Sequence, residues 1–594
     1  MTDPAKGVYD RGIFRKGNVR ISDLSGSKRL PVGNSNFTTC VENSVFIDKS
    51  LFIADIIDGG ATAMLYCRPR RFGKSLNLDM LQRFFEVPSP SDPSGIDTTH
   101  LFEGLAIWDA KDGAYRIHHQ AYPVVRLSFS AVKERAWEDA LALVSATVAA
   151  EYSRHGYLAE SHRLSPAERE TFMRIVDGRG DGADAKRSLA ILTRLLYVHH
   201  GRRAVVLIDE YDVPVMAGYT YRYYDEAVTF MKAWLVGALK DNDALAFSVL
   251  TGVQRISKES VFSDLNNLVV NTSLDTVSDE RYGFMQGEVD ALADYLGFAS
   301  STEELRAWYD GYRFGTVDVY NPWSVLNYFF NGCAVDVYWG NTSSNAVLGE
   351  LVEGADESTL EKFFRLLEPG GSIEAPLDLR VVLPDIGVRE GAVWSMLYLA
   401  GYLTTADTAM PNDVDRARVL FVPNFEIAKL FRSEIIQRYA SVAGSRDRLG
   451  ELQRAFACGD AEAVQEELER ILVTCASSFD LTRDNSYHML VLGLLFGMSG
   501  YHDPLSNREA GRGRFDVLVC PENADRRPFV VVELKHAAGS RDEETLASLA
   551  DEALRQIEDR EYARAYDTGD AGLVCFGIAA CGKQIAVRAS KRNG

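Results

Sequence analysis

Short apolar runs alternate with long helical stretches through the first half of the chain. The runs typical of buried strands are 63–67, 124–130, 204–209 and 244–251. Longer segments with helical spacing of apolar residues, such as 137–155 and 223–240, separate them. Strands that alternate with helices in this way form a parallel sheet covered on both faces. The pattern predicts an α/β domain over residues 36–337, preceded by a polar, loosely held arm at 1–35.

The alternation ends near residue 338, and a different arrangement follows. Helical segments with short strands predict a small, mostly helical accessory domain of winged-helix type at 338–445, and a charged helical stretch predicts a connector at 446–482. The last segment, 483–594, has the order helix, strands, helix, strand, which is typical of a compact α/β unit. The expected fold class is therefore α/β multidomain, with a parallel-sheet domain first and a smaller α/β domain last.

Composition and charge narrow the classes of protein to which this chain can belong. The 594 residues are 46% hydrophobic and 25% charged, as in ordinary globular proteins. The formal net charge of −20 argues against a protein that coats nucleic acid with its whole surface, so any such contact is expected to be local. No apolar stretch approaches the roughly 20 residues that span a bilayer, and the first residues lack the apolar core of a secretory signal. We expect a cytoplasmic protein without a membrane partner.

A candidate phosphate-binding loop follows the first strand of the predicted sheet. Its sequence is Arg68-Pro69-Arg70-Arg71-Phe72-Gly73-Lys74-Ser75. In a loop of this kind, called Walker A, a glycine turn lets backbone amides face phosphate oxygens, a lysine reaches the terminal phosphates and a serine or threonine binds Mg²⁺. The candidate nucleotide-binding residues are Arg70, Arg71, Phe72, Gly73, Lys74 and Ser75, with Ser75 as a magnesium ligand. Arg68 replaces the first glycine of the common pattern, and a basic turn before a helix is the alternative.

An acidic strand end is the second part of the expected nucleotide site. An apolar run leads into Asp209 and Glu210. A site of Walker B type has this pattern, in which the aspartate binds magnesium and the glutamate activates the attacking water. A solvated turn at the end of the strand is the alternative. Thr251, at the end of the next strand, is expected to sense the terminal phosphate. Arg255 would stabilise the transferred phosphoryl group in the same or a neighbouring subunit, or else pair with Glu259. ATP and Mg²⁺ are the expected cofactors, and a homo-oligomer is compatible with such a site.

Two strands near the C-terminus carry charged residues at their ends, which buried strands normally exclude. Asp516 lies in the first, and the second ends in Glu533-Leu534-Lys535. Because side chains alternate across a strand, Glu533 and Lys535 point to one face, and a neighbouring strand can bring Asp516 beside them. Two carboxylates and an ammonium on one sheet face predict a magnesium site next to a cation that holds a phosphate or a water. The alternative is a surface sheet edge with a Glu–Lys pair.

Several segments together resemble one bacterial family. They are 46–50, 68–75, 207–212, 251–267, 308–315 and 341–345. They are similar to the AAA-ATPase-like family whose members end in a PD-(D/E)xK nuclease domain, and the likeness extends over most of the chain. In that family the loop typically has the pattern R-P-R-R-F-G-K-[ST], so the resemblance accounts for Arg68. The resemblance implies a P-loop ATPase domain, a C-terminal domain of restriction-endonuclease-like fold, and ATP hydrolysis that is coupled to the nuclease-like domain or regulates it.

The same resemblance assigns roles to the charged C-terminal residues. Asp516 and Glu533 would bind the metal, and Lys535 would position or activate the attacking water. Nucleic acid, with DNA foremost, is then the partner.

Further residues would complete this second site. The family's acid on the first helix is not evident, because His488 stands near its place. Glu509 would complete the cluster instead, and Gln556 matches a polar position found beside such sites. Three arginines would hold backbone phosphates or neutralise the nearby acids: Arg508, Arg512 and Arg514.

The leading hypothesis is an ATP-dependent and magnesium-dependent nuclease that acts in genome defence or in the processing of mobile elements. A second hypothesis is an ATP-driven switch whose nuclease-like domain only binds nucleic acid or a protein partner. A third is an interaction protein that keeps the ATPase and has lost cleavage. The presence of Asp516, Glu533 and Lys535 favours the first, and the missing helical acid favours the others.

Overall fold

The structure is a computed structural model of the chain. It describes residues 7–88, 97–255, 265–298, 302–340, 345–381, 383–385, 391–407, 416–474, 484–506, 509–510, 513–537, 542–560 and 570–592. The chain divides into two compact units. The first comprises Met1–Asn341 and Glu374–Glu426, and the second comprises Thr342–Ile373 and Ile427–Gly594.

These units differ from the five segments predicted from the sequence. The predicted accessory segment 338–445 is divided, because Glu374–Glu426 packs with the first unit while Ile427 and its successors pack with the second. The finer division into arm, accessory domain and connector stays a prediction.

A four-stranded antiparallel sheet begins the first unit. Its strands are β1 Val8–Asp10, β2 Ile13–Lys16, β3 Val19–Ser22 and β4 Phe46–Ile47, in that order. Phe14 and Ile21 are buried in a cluster that also contains Val289 and Leu292. The apolar side chains of residues 7–22 therefore pack into a core that the polar composition of the segment conceals.

Five parallel strands form the central sheet of the first unit; the sequence predicts a parallel sheet and four of these strands, and the strand Leu268–Asn271 is additional. They are β5 Ala63–Cys67, β6 Val124–Ser128, β7 Ala204–Asp209, β8 Leu245–Gly252 and β9 Leu268–Asn271. Their order is β6-β7-β8-β5-β9, and every neighbouring pair is parallel. The carboxyl ends of β5, β7 and β8 therefore meet at one edge, where ligands of open α/β sheets bind.

Two small two-stranded sheets complete the strands of this part of the chain. They are β10 Tyr312–Phe314 with β11 Val317–Val319, and β12 Ile373–Pro376 with β13 Ala417–Leu420.

Helices cover both faces of the parallel sheet. Those up to residue 340 are α1 Phe37–Asn43, α2 Leu51–Gly59, α3 Lys74–Phe85, α4 Thr99–Phe102, α5 Ala106–Asp109, α6 Trp137–Arg154, α7 Pro166–Val176, α8 Gly182–His200, α9 Val213–Tyr221, α10 Tyr224–Leu239, α11 Gln286–Leu296, α12 Thr302–Tyr309 and α13 Pro322–Phe330. Val144 and Val148 on α6, and Leu192 and Leu196 on α8, are spaced four apart and buried in one core cluster with Trp234. That spacing gives each helix an apolar face for the sheet.

The remaining helices belong mostly to the second unit. They are α14 Asn345–Glu353, α15 Glu357–Leu367, α16 Ala392–Ala400, α17 Phe425–Ala443, α18 Arg446–Cys458, α19 Ala461–Thr474, α20 Asp484–Leu494 and α21 Glu543–Arg560. Of these, α16 lies in the first unit. Short 3₁₀ helices cover Ala110–His118, Gly156–Glu160 and Leu383–Asp385. Among the described helices none is both long enough and apolar enough to cross a membrane.

A mixed five-stranded sheet forms the core of the second unit. The strands in this region are β14 Leu505–Ser506, β15 Glu509–Ala510, β16 Gly513–Arg514, β17 Val517–Val519, β18 Phe529–His536, β19 Leu573–Cys581 and β20 Gln584–Arg592. The sheet has the order β14-β17-β18-β19-β20, while β15 and β16 pair separately. Only β18 and β19 are parallel within it, and α21 connects them. This arrangement matches the predicted order of helix, strands, helix and strand.

Candidate functional site

Arg68 anchors the start of the candidate phosphate-binding loop. Its side chain is fully buried and donates hydrogen bonds to the carbonyl and the side-chain oxygen of Asn271, at 3.3 and 2.5 Å. The guanidinium also lies 5.0 Å from the ring centroid of Tyr282. Arg68 thus ties the loop to β9 and cannot contact a nucleotide with its side chain, which explains why an arginine fits where the common pattern has glycine.

The turn of the loop brings Lys74 to the carboxyl edge of the sheet. Gly73 has a φ of +83° and caps α3, a backbone conformation that favours glycine. Lys74 is 7% exposed, and its Nζ donates to the carbonyls of Arg68 and Pro69 at 3.0 and 2.8 Å. Burial lowers the pKa of Lys74, while the charges of Glu210 and its neighbours oppose that shift. The amine is therefore held beneath the loop, close to the acids of β7.

Phe72 occupies a core position rather than a ligand-facing one. Its side chain is 1% exposed, and its ring lies 5.0 Å from those of Tyr312 and Phe314 in the β10–β11 hairpin. Only the backbone of Phe72 can therefore contact a nucleotide.

The other loop residues predicted to bind nucleotide lie nearer the surface. The Arg71 guanidinium stacks over Trp323 at 3.8 Å from the ring centroid. The carbonyl of Arg70 accepts a hydrogen bond from the indole of Trp339 at 3.4 Å. Ser75 is half-buried in the first turn of α3. Arg71 would have to leave its ring to reach a phosphate, whereas Ser75 stands where a magnesium ligand is expected.

Asp209 and Thr251 are in direct contact at the ends of neighbouring strands. The Thr251 hydroxyl donates to Asp209 Oδ1 at 2.6 Å, and both side chains are buried. Glu210 follows with a φ of +51°, and burial together with the charge of Asp209 raises its pKa. The sequence predicted these three residues separately, and the order of β7 and β8 in the sheet brings them together.

The sequence analysis missed the structural role of Tyr211 and Asp212. Asp212 is 3% exposed, and its Oδ2 accepts hydrogen bonds from the backbone amides of Val253 and Gln254 at 2.8 and 3.0 Å. The Tyr211 hydroxyl donates to the carbonyl of Gln254 at 2.7 Å. The sequence signal that could have revealed this role was a third acid, Asp212, two residues after Glu210. These bonds hold the turn after β8 against the end of β7.

Arg255 follows directly on that held turn. Its Nε is buried and makes no hydrogen bond within the described part of the chain. Glu259, the alternative partner predicted for it, lies outside the described residues. Burial raises the pKa of the Cys67 thiol to about 12, and the charges of Arg255 and Lys74 act in the opposite direction, so both cations lie near the end of β5.

The groups of the loop and of the ends of β7 and β8 suit a bound nucleoside triphosphate and its cation. The turn at Gly73 leads into the positive end of α3, which favours an anion. Lys74 supplies a cation, and Asp209 with Ser75 supplies oxygen ligands of the kind Mg²⁺ prefers. The donor set therefore fits the cofactors predicted from the sequence.

A second group of polar residues lies on the sheet of the second unit. Val517 pairs with Val532 in the antiparallel β17–β18 ladder, and one further step places Asp516 across from Glu533. The Asp516 carboxylate accepts a hydrogen bond from the backbone amide of Leu534 at 2.7 Å. Asp516 is half-buried and Glu533 is 4% exposed. The two acids thus meet at one place on the sheet, as the alternation of side chains predicts.

Helix α21 contacts both charged residues of β18. Gln556 donates a hydrogen bond to Glu533 Oε1, and the Lys535 ammonium forms an ion pair with Glu552 at 2.9 Å. Glu552 and Gln556 are four residues apart and therefore share one face of the helix. The structure brings Gln556 to the site, as the resemblance implies. Glu552 was missed, because nothing local to it marks it as the partner of Lys535.

Gly577 allows this close approach of helix and sheet. It lies on β19 directly beside Glu533. A β-carbon at this position would collide with the carbonyl of Ala550 and the backbone of Leu554, both on α21. The absent side chain therefore lets α21 come near enough for its polar residues to reach Glu533 and Lys535.

His488 is packed and hydrogen-bonded, as expected from the sequence. It is 7% exposed, and its Nε2 lies 2.7 Å from the hydroxyl of Ser506. Burial lowers its pKa, while the charge of Asp516 acts in the opposite direction. The histidine is therefore close to the acids without taking the place of a third carboxylate.

Part of the predicted cluster falls outside what the structure describes. Arg508 and Arg512 lie outside the described residues, as do the side chains of Glu509 and Arg514. The backbones of Glu509 and Arg514 pair across the β15–β16 hairpin. The predicted roles of these four residues stay predictions.

The acids that the structure brings together suit magnesium. Within the described ranges, no three His, Cys, Asp or Glu side chains group as a metal cage. Mg²⁺ does not need a cage, because it binds through one or two carboxylates and fills its other positions with water and phosphate oxygens. Asp516 and Glu533 fit that requirement.

Comparisons with known families agree with both groups of residues. Residues 31–262 match the AAA-ATPase-like family described as predicted AAA-ATPase, and residues 482–590 match the PD-(D/E)XK nuclease superfamily. The first match contains the loop and the acids of β7, and the second contains Asp516, Glu533 and Lys535. Both matches confirm the resemblance predicted from the sequence.

A curated relative is similar over nearly its whole length. It is the "Uncharacterized protein in vnfD 5'region" of Azotobacter chroococcum mcd 1, which is 26% identical over 548 residues, or 91% of this chain and 94% of that protein. The likeness therefore extends over most of both chains.

Proposed function

We propose that this chain, which joins an AAA-ATPase-like domain to a C-terminal domain of the PD-(D/E)XK nuclease superfamily, hydrolyses ATP and cleaves phosphodiester bonds in DNA with Mg²⁺. The observation that carries the proposal is the register of β17 and β18, which sets Asp516 opposite Glu533, with Lys535 two residues further along β18. Burial of a carboxylate costs free energy unless the charge is compensated, and a bound divalent cation would compensate it.

In the ATPase domain, the loop residues would bind the phosphates of ATP, and the acids at the strand ends would catalyse its hydrolysis. Backbone amides around Gly73 and the amine of Lys74 would hold the β- and γ-phosphates. Glu210 would accept a proton from the attacking water, and its raised pKa suits a general base. Thr251 would hold the Asp209 carboxylate in place through their hydrogen bond.

In the nuclease domain, Asp516 and Glu533 would hold Mg²⁺, which would neutralise the charge that develops on the scissile phosphate. Lys535 would orient the attacking water or contact a phosphate oxygen. Gln556 would fix the Glu533 carboxylate through its hydrogen bond. The acidic chain would contact DNA only around this site, and the arginines of segment 508–514 would extend the contact.

A nuclease under ATPase control suits genome defence or the processing of mobile elements, because cleavage of the cell's own DNA must be restrained. The alternative is an ATP-driven switch whose nuclease-like domain only binds its partner. The ion pair between Lys535 and Glu552 favours it, since the amine is engaged by a protein acid. His488 in place of a helical acid also favours it.

One assay separates these functions. Plasmid, linear duplex and single-stranded DNA would be incubated with the protein and Mg²⁺, with and without ATP, beside Asp516→Ala and Lys74→Met. We expect the wild type to cut and Asp516→Ala to be inactive. Cleavage that survives in Lys74→Met would mean that ATP hydrolysis is not required, and its loss there would mean coupling. If the wild type cuts no substrate while it hydrolyses ATP, the nuclease proposal is wrong and the switch is favoured.

A further inference from the structure

The ion pair between Lys535 and Glu552 joins β18, two residues beyond Glu533, to α21 and is partly exposed to solvent. The ammonium and carboxylate are 2.9 Å apart, with side chains that are 26% and 56% exposed. The Lys535 ammonium lowers the pKa of Glu552 through this hydrogen bond, so Glu552 stays ionised. A negative charge thus lies at the solvent-facing side of the amine that is expected to meet nucleic acid.

A carboxylate and a phosphodiester present similar groups to an ammonium. Both are anions with two free oxygens, and both form charge-assisted hydrogen bonds with lysine. They also repel each other, so a phosphate that approaches Lys535 does so against the charge of Glu552. One of the two anions must give way for the other to bind closely.

We propose that Glu552 is a positioning residue that occupies Lys535 in the free protein and that a backbone phosphate of duplex DNA displaces. This inference rests on the proposed nuclease function. Because displacement happens when DNA binds, Glu552 weakens binding without taking part in the chemical step. Its removal should therefore lower KM and leave kcat nearly unchanged.

Helix α21 also provides a matched control. Glu558 pairs with Arg592 of β20 at 2.8 Å, and both side chains are partly exposed. Glu558→Gln therefore removes one negative charge from the same helix by the same kind of substitution. It likewise leaves a cation on a strand, Arg592, without its acidic partner. Any general effect of a less acidic helix on DNA binding appears in both variants.

The experiment measures binding and cleavage separately. Binding of a fluorescently labelled DNA duplex would be followed by anisotropy with Mg²⁺ chelated, for the wild type, Glu552→Gln, Glu552→Ala and Glu558→Gln. Steady-state cleavage of the same duplex with Mg²⁺ would give KM and kcat. Glu552→Gln would also be combined with Lys535→Met, so that the gain can be assigned to the amine.

We expect both Glu552 variants to bind DNA about two- to fivefold more tightly than the wild type, the range that an exposed ion pair supports. KM should fall by a similar factor while kcat stays within about twofold. Glu558→Gln should bind like the wild type. The gain from Glu552→Gln should vanish in the Lys535→Met background.

Four outcomes overturn the inference. Equal gains in Glu552→Gln and Glu558→Gln would show a general charge effect. A fall in kcat at constant KM would show that Glu552 aids the reaction instead of competing with DNA. If the wild type binds the duplex and the Glu552 variants bind no better, the inference fails while the nuclease function stands, whereas no binding by any form removes both.

Discussion

At the scale of single residues, buried polar groups mark both sites. Thr251 and Asp209 are hydrogen-bonded to each other inside the sheet edge, and Gln556 holds Glu533. Buried polar atoms that find such partners are tolerated, whereas the loss of one partner leaves the other without compensation. Substitutions that remove one atom of a pair therefore report on its role.

Replacing Thr251 by valine keeps the shape of the side chain and removes its hydroxyl. The Asp209 carboxylate then loses its 2.6 Å donor, and we expect the unfolding free energy to fall by about 1–3 kcal/mol. ATP hydrolysis should slow by roughly tenfold or more, because the acid is no longer fixed. Thr251→Ser keeps the hydroxyl and should hydrolyse ATP near the wild-type rate. Equal activity of the two variants in an ATPase assay would contradict this prediction.

Glu426 is a second buried acid in the first unit. Its carboxylate accepts hydrogen bonds from the Ser324 hydroxyl and the Trp339 amide, each at 2.7 Å, and it is 1% exposed. Burial outweighs these bonds and raises its pKa from 4.5 to about 7. The folded protein therefore keeps a proton on Glu426 at a pH where the unfolded chain has released it.

The sign of the resulting pH dependence follows from that difference. Between pH 4.5 and about 7 the folded state binds more protons than the unfolded state, so the unfolding free energy falls as pH rises. The full cost above pH 7 is about 3 kcal/mol. Glu426→Gln, which keeps the shape, should remove this part of the pH dependence. Urea unfolding at pH 5.5 and pH 8 tests it: a difference between wild type and variant that is the same at both pH values would refute the prediction.

At the scale of elements, the approach of α21 to β18 and β19 builds the nuclease-like site. Gly577 provides the space, and Glu552 and Gln556 use it. Strand alternation predicted that Asp516, Glu533 and Lys535 share a face; α21 contacts Glu533 and Lys535, and the place of Asp516 on that face stays a prediction. The partner of Lys535 was not predictable, because it depends on the rotation and depth of a helix that is distant in sequence.

Gly577→Ala should push α21 away from the sheet. We expect the unfolding free energy of the second unit to fall by about 1–3 kcal/mol through overpacking. The contact between Gln556 and Glu533 should weaken, so cleavage should fall as well. Gly450→Ala in α18 is the control, because its nearest new contact is an ordinary 3.7 Å and alanine favours a helix. If Gly577→Ala is as stable as Gly450→Ala, the packing of α21 on the sheet tolerates a β-carbon at this position and the prediction is wrong.

At the scale of the whole molecule, two compact units carry the two sites. Four of the five strands of the parallel sheet of the first unit were predictable, because their short apolar runs are clearly separated by long helical segments. The strands at residues 8–22 were not, because each is short and lies in a polar, glycine-rich segment. The structural role of Arg68 was also hidden, since its partners Asn271 and Tyr282 come from distant sequence.

Nucleotide binding should stabilise the molecule in a measurable way. ATP with Mg²⁺ at about 100 times its dissociation constant should add about 2.7 kcal/mol to the unfolding free energy. Differential scanning calorimetry should show a higher transition temperature for the wild type and no shift for Lys74→Met, which lacks the cation but keeps the apolar stem. An equal shift in both proteins would mean that the nucleotide binds away from Lys74.

The place of Glu533 on the sheet has a consequence for how this domain can change over generations. One apolar cluster formed by α21 and the sheet contains Val531 and Ile557, and another contains Leu546 and Ala579; the glutamate and its amide partner on the helix belong to neither. Replacing that polar pair by leucine and methionine would add apolar contacts and stabilise the domain. Under the proposed function, a lineage released from the need to cut DNA would therefore be free to replace the acid by an apolar residue, and we expect a descendant that keeps the acid to keep cleavage as well.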